Sequence, residues 1–286
     1  VRKYKKYKNL DVMVKKKNYK IDQCPCWPFY HNFCFYQYCI SDFCTMRTLV
    51  IGDIHSGLKA LVQVLERAKV TQDDHLVFLG DYIDGWSQAV ETINFLIELK
   101  DTHQCTFLRG NHDELCLEWL SQGRDNPLWF QHGGRSTTES YEQVSDGIKG
   151  IHMNFYQNLE NFHLNPKNQL FLHAGFTNLN GIEHEYFTKT FYWDRTLWEL
   201  ALSLNPNLTT EDTFYPKRLT HYKEIFIGHT PVTRIGKTLP HRAANVWNID
   251  TGAAFKGPLS IMDVETKEFW QSDPVFTFYP GEAGRN

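Results

Sequence analysis

Short apolar runs alternate with amphipathic stretches between residues 47 and 115. The runs RTLVIGD, DHLVFLGDYID and CTFLRGNHDEL are rich in strand-forming residues, and each leads into Gly-Asp or Gly-Asn. Between them, LKALVQVLERAKV and QAVETINFLIELK carry apolar residues at the spacing of one helical face. Three strand–loop–helix units in series predict a largely parallel sheet, in which the carboxyl ends of the strands gather the functional residues.

The remainder of the chain returns to strand patterns after a helical interval. Residues 126 to about 165 are predicted to be helical and rich in loops. Strands are then predicted in NQLFLHAGF, KEIFIGHTPV, NVWNIDTGAAF and GPLSIMDVETKEFW. With no internal repeat and no Gly/Ser-rich linker, residues 46–275 are predicted to form one domain, and residues 276–286 a frayed tail.

The first 45 residues follow neither pattern. They carry nine Lys or Arg against three Asp, and five of the seven Cys in the chain. They lack the apolar segment and small-residue cleavage site of a signal peptide. We interpret them as a disordered appendage or as sequence upstream of a natural start at Met46. A basic arm that binds a membrane or nucleic acid is the alternative.

Charge and composition restrict the class of protein. Residues 46–286 hold 21 basic and 30 acidic side chains, which is a poor balance for binding nucleic acid. No run of 18 apolar residues predicts a membrane span. Cys105 and Cys116 are too few for a disulfide framework and favour a reducing compartment. We therefore expect a cytoplasmic protein with no nucleic-acid or membrane partner, and the sequence leaves its oligomeric state open.

Polar residues that can bind a metal ion follow five of the predicted strands. They are Asp53, His55, Asp81, Asp84, Asn111, His112, His173 and His229. Any one of them could be a turn residue, a helix cap or a hydrogen-bonded core histidine. Burying polar side chains at five strand ends costs free energy, so their common placement instead favours a divalent-metal site. Carboxylate, amide and imidazole ligands suit Mn, Fe or Zn.

The blocks GDIH, GDYID, RGNHD, HAG and GHT occur in this order. Over residues 48 to about 262 they resemble the signature of the PPP-type serine/threonine protein phosphatases in the calcineurin-like metallophosphoesterase superfamily. WFQHGGRSTTESY is similar to the bacterial branch of this family. The resemblance implies an α/β fold with a four-layer αββα sandwich and a dinuclear metal site at the carboxyl ends of the strands.

The resemblance also implies the metal ligands. Two divalent ions, Mn first with Fe or Zn as alternatives, would be held by six side chains. Asp53 and His55 would bind the first ion, Asp81 would bridge both, and Asn111, His173 and His229 would complete the second. A hydroxide that bridges the two ions would attack phosphorus in line, without a covalent phosphoenzyme. His112, oriented by Asp84, would be the general acid for the leaving oxygen.

These roles predict hydrolysis of phosphomonoesters, with phosphoproteins carrying phospho-Ser/Thr, and also phospho-Tyr, as substrates. One alternative is a nucleotide hydrolase resembling the symmetrical bis(5'-nucleosyl)-tetraphosphatases. Its base pocket would be lined by Trp86, Trp129, Phe130 and Trp193. The other alternative is a binding protein with weak activity.

Three positions depart from the family pattern, the mildest being Asp113, where Glu is common. Ser56 replaces a glycine, which costs backbone strain unless its φ is negative. Gly85 stands where the family carries a phosphate-binding arginine, so one bidentate contact is missing. Arg195 and Arg109 are the candidates to bind phosphate in its place, although Arg195 could instead pair with Asp194.

Overall fold

The computed structural model describes residues 46–285, so the interpretations of residues 1–45 lie outside the described part of the chain. Ten strands are present in this part. They are β1 (Thr48–Ile51), β2 (His75–Phe78), β3 (Gln104–Phe107), β4 (Phe162–Leu164), β5 (Gln169–Leu172), β6 (Glu224–Ile227), β7 (His241–Ala243), β8 (Val246–Asn248), β9 (Ser260–Asp263) and β10 (Phe269–Gln271). They form two five-stranded sheets, in the orders β10-β9-β1-β2-β3 and β4-β5-β6-β8-β7.

Parallel pairing dominates the centre of each sheet. In the first sheet β1 pairs with β2 and β2 with β3, and in the second β5 pairs with β6 and β6 with β8, all in parallel. Ile51, Phe78 and Phe107 share one level of the first sheet, so the residues that follow them emerge at one edge. This confirms the predicted parallel arrangement, while β4, β7, β9 and β10 add antiparallel pairs at the flanks.

Eight α-helices lie in the described residues. They are α1 (Leu58–Arg67), α2 (Ala89–Lys100), α3 (Asn111–Gln122), α4 (Pro127–Trp129), α5 (Arg135–Tyr141), α6 (Asp146–Gln157), α7 (Thr190–Trp193) and α8 (Thr196–Ser203). The chain kinks between α4 and α5, where Gly133 has φ +104°. Within residues 46–285, no helix has the length and apolar character needed to cross a membrane.

Alternate residues of the central strands face different layers, as the period of a strand requires. Leu49 and Ile51 pack with α1, whereas Val50 between them packs against the other sheet. Phe171 and Phe226 of the second sheet stack in that interface with ring centroids 4.9 Å apart. Helices α7 and α8 cover the outer face of the second sheet. The order helix, sheet, sheet, helix confirms the expected four-layer sandwich.

The segment 279–285 packs against the body, so the expectation of a frayed tail is wrong for these residues. Tyr279 is 3% exposed, and its ring stacks on Trp86 with centroids 5.3 Å apart. The Arg285 N–H donates to the Ala254 carbonyl at 2.9 Å. These contacts join residues far apart in sequence, which no local pattern of apolar and polar positions can reveal.

Candidate active site

All eight polar residues predicted at the strand ends lie in one buried cluster. They are Asp53, His55, Asp81, Asp84, Asn111, His112, His173 and His229, each at most 8% exposed. Four of the strands that precede these residues form two parallel pairs, β1 with β2 and β5 with β6. In each pair the carboxyl ends lie at the same level. The two sheets contribute to the cluster from opposite sides, since His173 and His229 follow strands of the second sheet.

The first group of potential ligands consists of Asp53, His55 and Asp81, whose ligand atoms all lie within 4.8 Å of one another. His55 Nε2 is 3.5 Å from Asp81 Oδ2 and 3.9 Å from Asp53 Oδ2. His55 Nδ1 lies 3.1 Å from the carbonyl oxygens of Ile83 and Asp84. Because a carbonyl only accepts, the proton belongs on Nδ1 and the Nε2 lone pair faces the carboxylates.

The backbone that presents His55 is a turn and not an extended strand. His55 and Ser56 both have left-handed backbone angles, with φ +51° and +63°. The N–H groups of Ile54 and His55 donate to the Asp81 carbonyl at 3.1 and 2.9 Å. Asp53 and His55 therefore meet because of this turn, and not because they alternate along an extended strand. Ser56 lacks the negative φ that would have relieved its strain.

The second group consists of Asp81, His173 and His229, joined by Asn111. His173 Nε2 lies 3.4 Å from Asp81 Oδ2 and 3.2 Å from Asn111 Oδ1. His229 Nδ1 lies 2.9 Å from Asn111 Oδ1. On its other side, His173 Nδ1 donates to the Leu79 carbonyl at 2.8 Å, which turns the Nε2 lone pair into the group. Asp81 belongs to both groups.

The donor set fits divalent transition-metal ions. Burial alone lowers the pKa of His173, but the Asp81 and Asp53 carboxylates raise it to about 10, so the cluster attracts positive charge. Asp53 Oδ1 and His229 Nε2 are buried without any hydrogen-bond partner. Buried polar atoms rarely stay unpaired, and a cation held by the first group would give the Asp53 carboxylate a partner. Carboxylate oxygen, amide oxygen and imidazole nitrogen suit Mn, Fe or Zn.

His112 lies beside these groups and is held through its Nδ1. Nδ1 is 2.5 Å from Asp84 Oδ2, and the His112 backbone N–H donates to Asp81 Oδ1 at 3.0 Å. The Asp84 carboxylate also accepts from Trp129 Nε1 and Thr137 Oγ1, each at 2.5 Å. Asp84 is completely buried. The ring is thus oriented by a carboxylate that is itself fixed on both oxygens.

Two carboxylates of the site were not among the predicted site residues. Asp250, just beyond β8 and 3% exposed, raises the pKa of Asp53 further after burial has raised it. The run VWNID resembles the other strand ends, so the same rule would have found it. Asp113 accepts from the backbone N–H groups of Gly110, Asp81 and Tyr82 at 2.8 to 2.9 Å. It fixes the turn that carries Asp81, a role that appears only in three dimensions.

The arginines separate into two kinds. Arg109 Nη1 donates to Glu114 at 2.6 Å, and Nη2 reaches the Leu159 carbonyl at 3.4 Å. It is therefore engaged at the start of α3. Arg195 has no such partner among the described hydrogen bonds, and the Asp194 carboxylate accepts from the Thr196 and Leu197 N–H groups instead.

Arg195 stands near two further arginines. Burial, Arg234 and Arg285 lower the pKa of Arg195. Burial also lowers the pKa of His229, and the positive charge of Arg195 makes a smaller contribution in the same direction. Arg285 Nη1 lies 3.5 Å from His55 Nε2. Arg285 was not predicted, because it follows His55 by 230 residues and carries no motif.

Known proteins resemble this chain along most of its length. The family model described as calcineurin-like phosphoesterase matches residues 46–254. Serine/threonine-protein phosphatase 1 of Salmonella typhimurium (strain LT2) is 26% identical over 223 residues, covering 76% of this chain and 91% of that protein. An asymmetrical bis(5'-nucleosyl)-tetraphosphatase of Geobacillus sp. (strain WCH70) is 25% identical over 231 residues, covering 75% and 89%. A protein serine/threonine phosphatase structure from Saccharomyces cerevisiae shares the fold, with a TM-score of 0.54, 12% identity and 80% coverage of each chain.

Proposed function

The chain belongs to the calcineurin-like phosphoesterase family and is a metal-dependent phosphoester hydrolase, and from this premise we propose that it dephosphorylates phosphoproteins on Ser/Thr, and also on Tyr. One observation carries the proposal. Asp81 Oδ2 lies 3.5 Å from His55 Nε2 and 3.4 Å from His173 Nε2, so one carboxylate is shared by two ligand groups. Such sharing is the arrangement that two neighbouring metal ions need.

Two divalent ions, Mn by preference, would occupy these groups. Asp53 and His55 would hold one ion, Asn111, His173 and His229 the other, and Asp81 both. Bound there, the ions supply positive charge that polarises a phosphoryl group and promotes the ionisation of water. The histidine tautomers support this assignment. His55 and His173 each donate from Nδ1 to a backbone carbonyl, which leaves Nε2 to bind a metal ion.

His112 is proposed to protonate the leaving oxygen from Nε2. A serine or threonine alkoxide leaves poorly unless it receives a proton. Asp84 takes the Nδ1 side of the ring, so the imidazolium that forms faces the substrate with its remaining N–H and is stabilised by a buried carboxylate. Trp129 and Thr137 keep that carboxylate in place.

Arg195 is proposed to bind the phosphate of the substrate. Its positive neighbours and the absence of an ion pair with Asp194 among the described residues leave its guanidinium available. Arg109 was the other candidate. Its contact with Glu114 supports a structural role at α3 for this residue.

A phosphoprotein fits the aromatic residues of the site better than a dinucleotide does. Trp86 and Trp129 are 0% and 1% exposed, so neither can stack on a base. Of the four aromatic residues considered for a base pocket, only Phe130 and Trp193 remain available to contact a base. We place the reaction in the cytoplasm, because Cys105 and Cys116 are both free thiols, as a reducing compartment favours.

The first test separates the substrate classes. The full chain is stripped with a chelator, reloaded with manganese and assayed with a phosphopeptide and with diadenosine tetraphosphate. We expect phosphate release from the peptide. Turnover of the nucleotide alone would overturn the proposed substrate, and no turnover of either with metal bound would indicate a binding protein on this scaffold.

The second test concerns the residues. Asp81→Asn weakens both ligand groups and should abolish turnover together with metal binding. His112→Asn should lower kcat by about 100-fold or more while metal content stays at two ions, since general acid catalysis contributes on this scale. His103→Asn, at a site remote from the cluster, serves as the matched control. Near-normal turnover in either site variant would refute these assignments.

A further inference from the structure

A guanidinium from the far end of the described chain lies against the first ligand group. Arg285 Nη1 is 3.5 Å from His55 Nε2, the nitrogen that faces Asp53 and Asp81. Arg285 forms no ion pair with a carboxylate among residues 46–285, and its Nε is buried without a hydrogen-bond partner. A cation with open donors therefore stands at the edge of a group that itself fits a metal ion.

The segment that carries Arg285 is held in place by fixed contacts. Its backbone N–H donates to the Ala254 carbonyl at 2.9 Å, and its guanidinium lies over the Phe255 ring, 5.5 Å from the centroid. Gly284 has φ +61°, and a methyl group there would lie 2.7 Å from the Ala254 oxygen. The close fit shows that this placement is built into the fold.

Two glycines make room for the stem of Arg285. A methyl group on Gly133 would lie 2.9 Å from Arg285 Cγ, and one on Gly85 would lie 3.4 Å from it. A cavity of about 260 Å³ opens at this place and is lined by Gly85, Gly133 and Arg285 together with Phe130 and Arg135. Arg285 therefore packs over Gly85, the position at which the family pattern carries an arginine.

Electrostatics determine what such an arginine can do. A guanidinium beside a metal ligand is repelled once divalent cations are bound, unless an anion lies between them. Arg195, whose pKa is lowered by burial, Arg234 and Arg285, adds further positive charge to this site. An arginine offers its donors in a planar fork that matches two oxygens of a phosphoryl group. The arrangement is suited to a phosphate dianion that bridges the arginines and the metal ions.

We propose that Arg285 is a substrate-binding residue that grips the phosphoryl oxygens from the His55 side and supplies the contact that Gly85 cannot make. The proposal rests on the proposed phosphatase function and names one more residue of the same site. Arg195, proposed above to bind the phosphate, would act on the same phosphoryl group.

The test compares three variants of the full, manganese-loaded chain. Arg285→Ala removes the donors, Arg285→Lys keeps the charge without the fork, and Arg242→Ala is the matched control. Arg242 also lies over an aromatic ring, that of Trp247, with its guanidinium 5.8 Å from the centroid. Steady-state kinetics with p-nitrophenyl phosphate give kcat and KM, and inorganic phosphate is measured both as an inhibitor and as a ligand by calorimetry.

We expect Arg285→Ala to raise KM and the inhibition constant of phosphate about 10- to 100-fold, the usual effect of losing hydrogen bonds to a charged group. Arg285→Lys should recover part of this loss, and added guanidinium should restore activity to Arg285→Ala. Metal content and melting temperature should match those of Arg242→Ala. A merely structural role would not produce rescue by guanidinium.

Other outcomes overturn the proposal. Unchanged KM and phosphate inhibition would show that Arg285 does not contact the phosphate. Higher activity or tighter phosphate binding in Arg285→Ala would show that this arginine obstructs the site. If the unaltered chain hydrolyses nothing, the proposed function fails, and calorimetry with inorganic phosphate still decides whether Arg285 binds the anion. If Arg285→Ala is unstable, the same comparison is made with Arg285→Lys and Arg285→Gln.

Discussion

At the residue scale, the Asp84 carboxylate joins His112, the proposed general acid, to the core. Trp129→Phe removes the 2.5 Å donor to Asp84 Oδ2 and leaves the Thr137 contact on Oδ1. We expect kcat to fall about 10-fold, as loss of a hydrogen bond to a charged group costs about 1.5–3 kcal/mol. KM and metal content should stay unchanged, and Trp119→Phe, next to Trp129 in the core, is the control. Equal kcat in both variants would contradict this role for Trp129.

Ser56 carries a strain that glycine would relieve. It has φ +63°, and its buried Oγ has no hydrogen-bond partner. Ser56→Gly should raise the free energy of unfolding by about 1 kcal/mol, since the left-handed conformation and the unpaired hydroxyl each cost about that much and the flexibility of glycine offsets one of them. Ser121→Gly in α3 should instead destabilise. Urea denaturation measures both, and a less stable Ser56→Gly protein would refute the strain argument.

The site residues show which kind of information a sequence carries. Asp53, Asp81, His173 and His229 were predictable, because each follows an apolar run that only a buried strand explains. Asp113 and Arg285 were not, because their roles depend on which backbone groups lie nearby after folding. Local pattern predicts an element and what stands at its end, but not the partner that arrives from 230 residues away.

At the element scale, the turn before α3 must pass very close to the turn after β2. A methyl group on Gly110 would lie 2.1 Å from Asp81 Oδ1 and 2.3 Å from the Asp81 nitrogen. Gly110→Ala should therefore displace Asp81 and reduce metal content below two ions per chain, as measured by elemental analysis. Gly150→Ala in α6, with nothing within 4 Å of the added methyl, should leave metal content unchanged and stabilise by about 0.5–1 kcal/mol. Full metal content in Gly110→Ala would show that the turns can separate.

His152 joins three helices and should make their packing sensitive to acid. In α6, it accepts from the Tyr141 hydroxyl at Nδ1 and donates from Nε2 to Asn94 Oδ1, which requires the neutral ring. Burial lowers its pKa from 6.5 to about 4. Between pH 6.5 and about 4, His152 is protonated in the unfolded chain and neutral in the folded chain. The free energy of unfolding should therefore fall as pH drops below 6.5, by about 1.4 kcal/mol per unit at most.

The measurement is urea denaturation of the metal-free protein at pH 7.5 and pH 5. His152→Gln has no titrating ring and should lose less stability between the two values than the unaltered chain. His103→Gln should lose as much as the unaltered chain. If His152→Gln proves equally sensitive to acid, the sensitivity arises elsewhere.

At the scale of the whole molecule, the candidate metal centre joins the two sheets. Asp53, His55 and Asn111 come from the first sheet, while His173 and His229 come from the second. The sequence of a single strand does not reveal which of the two sheets it joins, since buried strands of both sheets are similar apolar runs. The candidate metal ligands nevertheless all follow strand ends, because the carboxyl ends of the parallel strands of both sheets lie close together.

Metal ions should consequently stabilise the fold as a cross-link between the sheets. At concentrations about 1,000 times the dissociation constant, binding to the native state adds about 4 kcal/mol. For a domain of this size, that shift corresponds to a rise in melting temperature on the order of 10 °C. His229→Ala leaves the first-sheet ligands intact, so this variant should keep one ion and show about half of the rise. His103→Ala should show all of it. A chelator that leaves the melting temperature of the unaltered chain unchanged would mean that the two sheets hold together without the ions.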